Sequence, residues 1–117
     1  MNQDPIQDLA QRLRQFAAER DWEQFHTPKN LAMALTGEAG ELAAEFQWLT
    51  AEESARLEPE RMERVRQEAG DVLLYLVRLA DQLQFDLIQA AQEKIVRNAR
   101  NYPADKVRGS ARKYDEY

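Results

Sequence analysis

The stretch "GEAGELAAEFQWL", residues 37–49, decides the fold because it combines helical spacing with carboxylates. Leu42 and Phe46 are four residues apart, which places them on one face of a helix. At about 100° per residue, Glu38 and Glu41 lie beside this apolar stripe and not opposite it. A face that only meets solvent would lie about 180° away from the stripe. The two acids are therefore expected at the edge of the buried core.

The stretch "EAGDVLLYL", residues 68–76, repeats this arrangement. Glu68 and Asp71 have the same three-residue separation as Glu38 and Glu41, and apolar residues follow both pairs at the same offsets. If the two helices pack through their apolar stripes, four carboxylates meet at one seam. The sequence therefore predicts a cluster of acids between two helices.

Four clustered carboxylates predict a site for a divalent cation. Ionised like charges a few ångströms apart repel one another, and a cation relieves this repulsion. Ligation by oxygen alone favours Mg²⁺, with Mn²⁺ as a substitute. Mg²⁺ held by carboxylates commonly completes its shell with substrate phosphates. The pattern therefore points to phosphate chemistry.

Helical signals cover nearly the whole chain, and no stretch predicts a strand. Asp4-Pro5 and Thr27-Pro28 are typical helix starts, each with a capping residue before a first-turn proline. We predict one domain over residues 1–117, an all-α four-helix bundle with a polar tail from about 101. The predicted helices run from Pro5 to about Arg20, Pro28 to about Trp48, Pro59 to Leu83, and Leu87 to about Arg100, with a short piece from Thr50 to about Leu57.

Composition excludes several classes of protein. The chain has 117 residues, no cysteine, and 21 acidic against 16 basic side chains, which gives a net charge of -5. An acidic chain is a poor partner for nucleic acid. The lack of cysteine excludes thiolate metal sites and fits a reducing cytoplasm. No apolar run approaches the roughly 20 residues of a membrane span, and the N-terminus lacks a signal-peptide core. We therefore expect a soluble, cytoplasmic protein.

These stretches, together with "FAAERDWEQFH" and "NYPADKVRGSARKY", resemble the all-α, MazG-like nucleoside triphosphate pyrophosphohydrolases, and most of all the small dCTP pyrophosphatases. The resemblance implies Mg²⁺-dependent cleavage of a nucleoside triphosphate to its monophosphate and pyrophosphate, in sanitation of the nucleotide pool. The implied substrate is dCTP or a modified pyrimidine deoxynucleotide. The implied catalytic residues and metal ligands are Glu38, Glu41, Glu68 and Asp71. Glu45 lies outside the motif and is expected to support the ligands without touching the metal.

The same resemblance places an aromatic clamp on the nucleobase at Trp22 and Trp48. The alternative is that both tryptophans anchor the core. In a continuous helix Trp48 would lie beside the acids, which favours the clamp. Leu13 stands where vertebrate members of the family have a histidine, and leucine cannot hydrogen-bond a base. The preferred nucleobase therefore stays open.

Two polar residues of the last predicted helix share a face with apolar ones. Lys94 and Asn98 align with Leu87 and Ala91 at helical spacing, although inward lysines are rare unless paired. One interpretation is a salt bridge at the edge of the core. The resemblance favours contacts from Lys94, Asn98 and Tyr102 to the phosphates and sugar.

Basic residues of the tail and the one histidine are weaker candidates. Terminal basic residues are usually solvated, so the tail has two interpretations. It stays in solvent, or Lys106, Arg108, Arg112 and Lys113 close over the triphosphate, with Arg112 and Lys113 as the substrate-binding pair. His26 precedes a helix start and is interpreted as a structural loop residue.

The stretch "VLLYLV", residues 72–77, is apolar almost all round its helix, which predicts contact with a second subunit. The resemblance points to a homodimer or tetramer. Two other interpretations stay open: a non-catalytic helical interaction module, and a related phosphohydrolase acting on another diphosphate. A di-metal redox bundle is excluded because it needs a Glu-x-x-His motif on each of two helices, and the chain has a single histidine.

Overall fold

The computed structural model describes residues 4–111, and these residues form helices and turns without a strand. The predicted all-α class is therefore confirmed. A short 3-10 turn, Glu23–Phe25, lies between the first two helices. The helices are α1 Pro5–Glu19, α2 Pro28–Ala44, α3 Ala51–Ser54, α4 Pro59–Leu83, α5 Leu87–Asn101 and α6 Ala104–Val107.

The helices begin where the sequence carries capping residues. Side-chain oxygens of Asp4, Thr27, Thr50 and Asp86 each accept a backbone N–H from the first turn of the following helix. Glu53 returns a hydrogen bond to the Thr50 N–H over 2.9 Å, which completes a capping box. Each such cap stabilises its helix by about 1 kcal/mol. These starts are local, so the sequence alone predicts them.

The predicted end of α2 is wrong, because the helix stops at Ala44 and not near Trp48. In a longer helix the Glu45 carbonyl would accept from the N–H four residues further on. Instead, Arg61 on α4 donates to the Glu45 carbonyl. The Leu49 N–H, which would bond to that carbonyl in a longer helix, donates to the Phe46 carbonyl. The following residues form turns. No glycine or proline marks this boundary in the sequence. The end of α2 coincides instead with the contact from Arg61 on α4.

The chain divides into two compact units, the first ending at Gln84 and the second beginning at Phe85. In the first unit α4 packs against both α2 and α1. Its small buried apolar core comes from all three helices: Ala10, Ala17, Leu31, Val77 and Ala80. Since α4 is the helix common to both packings, its side chains can meet those of either neighbour.

The second unit contains α5 and α6. The sequence predicted an irregular tail here, but Ala104–Val107 form one helical turn that starts after Pro103. Gly109 follows with a φ of 78°, a backbone conformation that favours glycine. Lys106 and Arg108 are both exposed.

Large apolar side chains stay exposed in the first unit, among them Met33 at 67% and Leu73 at 40%. A surface of this kind fits the predicted contact between subunits, which stays a prediction. None of the helices described in residues 4–111 combines the length and the apolar character that a membrane crossing requires.

Candidate active site

Three of the predicted acids converge where α2 packs against α4. Glu38 and Glu41 lie one turn apart on α2, and Glu68 lies on α4. One carboxylate oxygen from each lies within 4.8 Å of the other two. Glu38 and Glu68 are half-buried, whereas Glu41 is exposed. The cluster is therefore anchored in the helix seam and opens to solvent at Glu41.

The crowding raises the proton affinity of the cluster. Contact with the Glu68 carboxyl, burial, and the charges of Glu41 and Asp71 together raise the pKa of Glu38 to about 7. Burial, with the charges of Glu41 and Asp71, also raises the pKa of Glu68. Ionised carboxylates held this close together repel one another unless a positive charge lies among them.

Two buried oxygens in the cluster lack a partner. The Oε2 atoms of Glu38 and Glu68 are buried and accept no hydrogen bond from the residues that the structure describes. Leaving a buried carboxylate oxygen unpartnered is costly, and a bound cation would remove that cost. The donors are all carboxylates, so the set fits a hard divalent cation such as Mg²⁺ or Mn²⁺.

Asp71 lies at the edge of the cluster, one turn beyond Glu68 on α4. It is exposed, and its charge contributes to the raised pKa values of both half-buried acids. It also lines the cavity described below. The structure thus places Asp71 between the acid cluster and that cavity. The role of the four acids as metal ligands stays a prediction.

Glu45 does not join the acid cluster. Its carboxylate lies 3.2 Å from the Arg61 guanidinium and 3.1 Å from that of Arg64, and its side chain is 18% exposed. Both arginines come from α4, so Glu45 ties the end of α2 to the first half of α4. These ion pairs make Glu45 a brace between the two helices, and its support of the metal ligands stays a prediction.

A cavity of about 320 Å³ opens beside Asp71. Trp22 forms part of its wall and packs edge-on against Phe16, with 5.7 Å between ring centroids. The apolar lining consists of Leu13, Phe16, Trp22, Leu31 and Leu74. The polar lining consists of Asp71, Tyr75 and Arg78 on α4, with His26 from the loop before α2. An aromatic wall with a few polar groups suits a flat heterocycle.

Trp48 does not line this cavity. It follows the end of α2 and is 87% exposed. The predicted position of Trp48 beside the acids requires α2 to continue to this residue, and that prediction is wrong because α2 ends at Ala44. Within the part of one chain that is described, Trp22 and Trp48 therefore do not form one clamp. A contact of Trp48 with substrate stays a prediction that requires approach from outside this cavity.

The other predicted substrate-binding residues belong to the second unit. Lys94 and Asn98 are exposed on α5, and the half-buried Tyr102 donates its N–H to the Asn98 carbonyl over 2.8 Å. Arg112 and Lys113 lie outside the described residues. Their contacts with phosphates or sugar stay predictions.

Sequence reasoning missed Arg78, a charged residue that is only 5% exposed and lines the cavity. Its Nε donates to His26 Nδ1 over 3.2 Å. His26 was interpreted as a structural loop residue, and it also forms part of the cavity wall. The signal for Arg78 was present, since Asp71, Tyr75 and Arg78 recur on one face of α4.

The fold and site define an all-helical protein with a carboxylate cluster suited to a cation beside an aromatic-lined cavity. Residues 34–117 match the model of the MazG-like family. The chain therefore belongs to the MazG-like family, and the resemblance inferred from the sequence is confirmed.

Individual relatives agree with this assignment. The chain is 47% identical over 113 residues to dCTP pyrophosphatase 1 of Homo sapiens, covering 95% of this chain and 66% of the relative. It is 46% identical to dCTP pyrophosphatase 1 of Bos taurus, covering 95% and 67%. The chain thus spans about two thirds of the length of these curated relatives. A crystal structure of a pyrophosphatase from Archaeoglobus fulgidus matches with a TM-score of 0.81 and 36% identity, covering 88% of this chain and 96% of that one.

Proposed function

We propose that this protein is a Mg²⁺-dependent nucleoside triphosphate pyrophosphohydrolase that releases a monophosphate and pyrophosphate. One observation carries the proposal. Three carboxylates from two helices crowd together directly beside an aromatic-lined cavity, and two of their buried oxygens have no hydrogen-bond partner among residues 4–111. Relatives named dCTP pyrophosphatase support a deoxynucleoside triphosphate as the substrate class.

Glu38, Glu41, Glu68 and Asp71 would hold the cation, with Mn²⁺ as a substitute for Mg²⁺. When bound, the cation supplies charge for the phosphate oxygens and lowers the pKa of water. In the reaction a water oxygen bonds to the α-phosphorus, the bond from that phosphorus to the bridging oxygen breaks, and pyrophosphate leaves. Asp71 lies where the acid cluster meets the cavity, so the phosphates belong on one side of it and the base on the other.

The base would occupy the cavity with its face against Trp22. Stacking on an aromatic side chain contributes about 1–3 kcal/mol per base. Leu13 lines the same cavity and offers no hydrogen bond. We favour dCTP or a modified pyrimidine deoxynucleotide, and a role in sanitation of the nucleotide pool.

Further contacts with the substrate are proposed on the basis of the family resemblance. We propose that Lys94, Asn98 and Tyr102, with Arg112 and Lys113, contact the phosphates and sugar. We propose a homodimer or tetramer acting in the cytoplasm. Nucleic acid is not expected as a partner of a chain with a net charge of -5.

The test is a panel of nucleoside and deoxynucleoside triphosphates incubated with Mg²⁺, with pyrophosphate and orthophosphate scored separately. We expect pyrophosphate as the first product, and fastest release from a pyrimidine deoxynucleotide. Orthophosphate as the first product would contradict the assigned bond. No turnover of any triphosphate would favour a helical interaction module.

A further inference from the structure

The polar lining of the cavity forms one stripe along α4. Asp71, Tyr75 and Arg78 follow one another at intervals of four and three residues, and all three line the cavity. With a rise of about 1.5 Å per residue, Arg78 lies roughly 10 Å along the helix axis from Asp71. The cavity therefore has an acidic end beside the carboxylate cluster and a cationic end at Arg78.

The guanidinium of Arg78 has N–H groups at this end that can donate to a ligand. The residue is 5% exposed. Its Nε donates to His26 Nδ1 over 3.2 Å, and its Nη1 lies 3.5 Å from Asp81 Oδ2. Its Nη2 makes no hydrogen bond to any residue in the described range 4–111. A guanidinium carries five N–H donors, so Arg78 can donate further hydrogen bonds besides those to His26 and Asp81. An acceptor in the cavity would complete the set.

The guanidinium is also held in place by its neighbours. Asp81, which contacts Arg78, accepts a second hydrogen bond from Arg14 Nε over 2.8 Å. Burial and the charge of Arg78 lower the pKa of His26, so its imidazole is neutral at pH 7 and its Nδ1 can accept. Gln82 donates to the His26 carbonyl over 2.8 Å, which keeps the loop on α4.

Four of the apolar lining residues cannot recognise a base by hydrogen bonding. Leu13, Phe16, Leu31 and Leu74 present only carbon atoms to the cavity. A phosphate is not the expected acceptor at Arg78, because the phosphates belong near the cation site at the opposite end. A carbonyl oxygen on the edge of a nucleobase is a usual acceptor for arginine.

We propose that Arg78 determines base specificity by donating a hydrogen bond to a carbonyl oxygen of the nucleobase. The proposal rests on the function proposed above, and it names the substrate as a nucleotide with a carbonyl-bearing base. Cytosine, uracil and thymine have such a group, whereas adenine has none. Arg78 would supply the hydrogen bond to the base that Leu13 cannot make.

The test uses the reaction product, which has no anhydride bond left to cleave. Calorimetry in Mg²⁺ compares thymidine monophosphate with its difluorotoluene isostere, which keeps the shape of the base without its carbonyl groups. We expect the wild-type protein to bind the thymine compound about tenfold to a hundredfold more tightly, as for a hydrogen bond to a charged group. Arg78→Met should bring the two affinities together.

Arg14→Met is the matched control. It removes the other arginine on Asp81 from a half-exposed position on α1, and it should preserve the preference for thymine. A wild-type protein that binds both compounds equally would overturn the proposal without any variant. So would an Arg78→Met protein that keeps the full preference, or that loses affinity for both compounds by the same factor.

Circular dichroism checks that the variant folds. If Arg78→Met fails to fold, Arg78→Lys keeps a buried cation with a different donor geometry, and a reduced preference is then the supporting result. A preference unchanged in Arg78→Lys, like equal binding by the wild-type protein, contradicts the proposal. Failure of the proposed function has a different signature, because triphosphates would then not be hydrolysed even where the monophosphate is discriminated.

Discussion

At the scale of single residues, the half-buried carboxylates of Glu38 and Glu68 oppose folding when no cation is present. Crowding of this kind is unfavourable for the metal-free folded state and is typical of functional sites. Both pKa values are raised in the folded protein, which means that the folded state binds protons more tightly than the unfolded state. The metal-free protein should therefore respond to pH in a defined direction.

We expect metal-free protein to lose stability as pH rises from 4.5, the ordinary pKa of Glu38, to about 7, its raised value. Below that window both states are protonated, so the penalty is absent. Thermal unfolding in EDTA between pH 5 and 8 checks this. Adding Mg²⁺ at pH 8 should raise the unfolding temperature. An unfolding midpoint that does not fall with rising pH in EDTA would contradict the crowding of Glu38 and Glu68.

Glu41→Gln and Asp71→Asn should reduce turnover by at least about a hundredfold, since each removes a predicted ligand. The metal-free variants should be as stable as the wild-type protein or more stable, because each removes a repelling charge. Pyrophosphate release and thermal unfolding measure the two effects. Glu52→Gln, an exposed acid on α3, is the control and should leave turnover unchanged. Unfolded variants without metal would instead indicate a structural role.

Trp22→Ala should weaken binding of the nucleotide by roughly fivefold to 150-fold, from the loss of about 1–3 kcal/mol of stacking. The measurement is the KM for the preferred triphosphate. A triphosphate of deoxyribose without a base serves as the control, and its KM should not change. An equal change for both compounds would place Trp22 outside base binding.

At the scale of the elements, the sequence predicted local features well and distant contacts poorly. Helix starts follow from caps such as Asp4 and Thr27, whose partners lie within the next turn. The end of α2 depends on Arg61, sixteen residues away, so no local pattern contains it. The acid pairs were predictable because their offsets match on two helices. The contact of Arg78 with His26 joins residues 52 positions apart and was not.

The brace between α2 and α4 should contribute measurably to stability. Glu45→Gln leaves two arginines without their carboxylate, one of them in a partly buried position, and we expect a loss of about 1–2 kcal/mol in the free energy of unfolding. Urea unfolding measures it. The fully exposed pair of Glu52 and Arg56 provides the comparison, and Glu52→Gln should cost less than about 0.5 kcal/mol. Equal effects of the two variants would remove the special role of Glu45.

At the scale of the whole molecule, the exposed apolar residues predict self-association. Met33 and Trp48 are 67% and 87% exposed, so both side chains are available for contact with a second subunit. Light scattering coupled to size exclusion should give a mass of two or four times the 13.6 kDa chain. A mass of one chain at micromolar concentration would contradict this expectation and leave Trp48 without a partner.

One uninterrupted helix, α4, carries Glu68 and Asp71, which are proposed to hold the cation beside the phosphates, and Arg78, which is proposed to contact the base. Because an α-helix is hardly extensible, the distance between these acids and Arg78 stays constant. The fixed spacing then selects a ligand by its length as well as by its chemical groups. Molecules that are too short to contact both the acids of α4 and Arg78 would bind at one end only, and their other end would not be aligned.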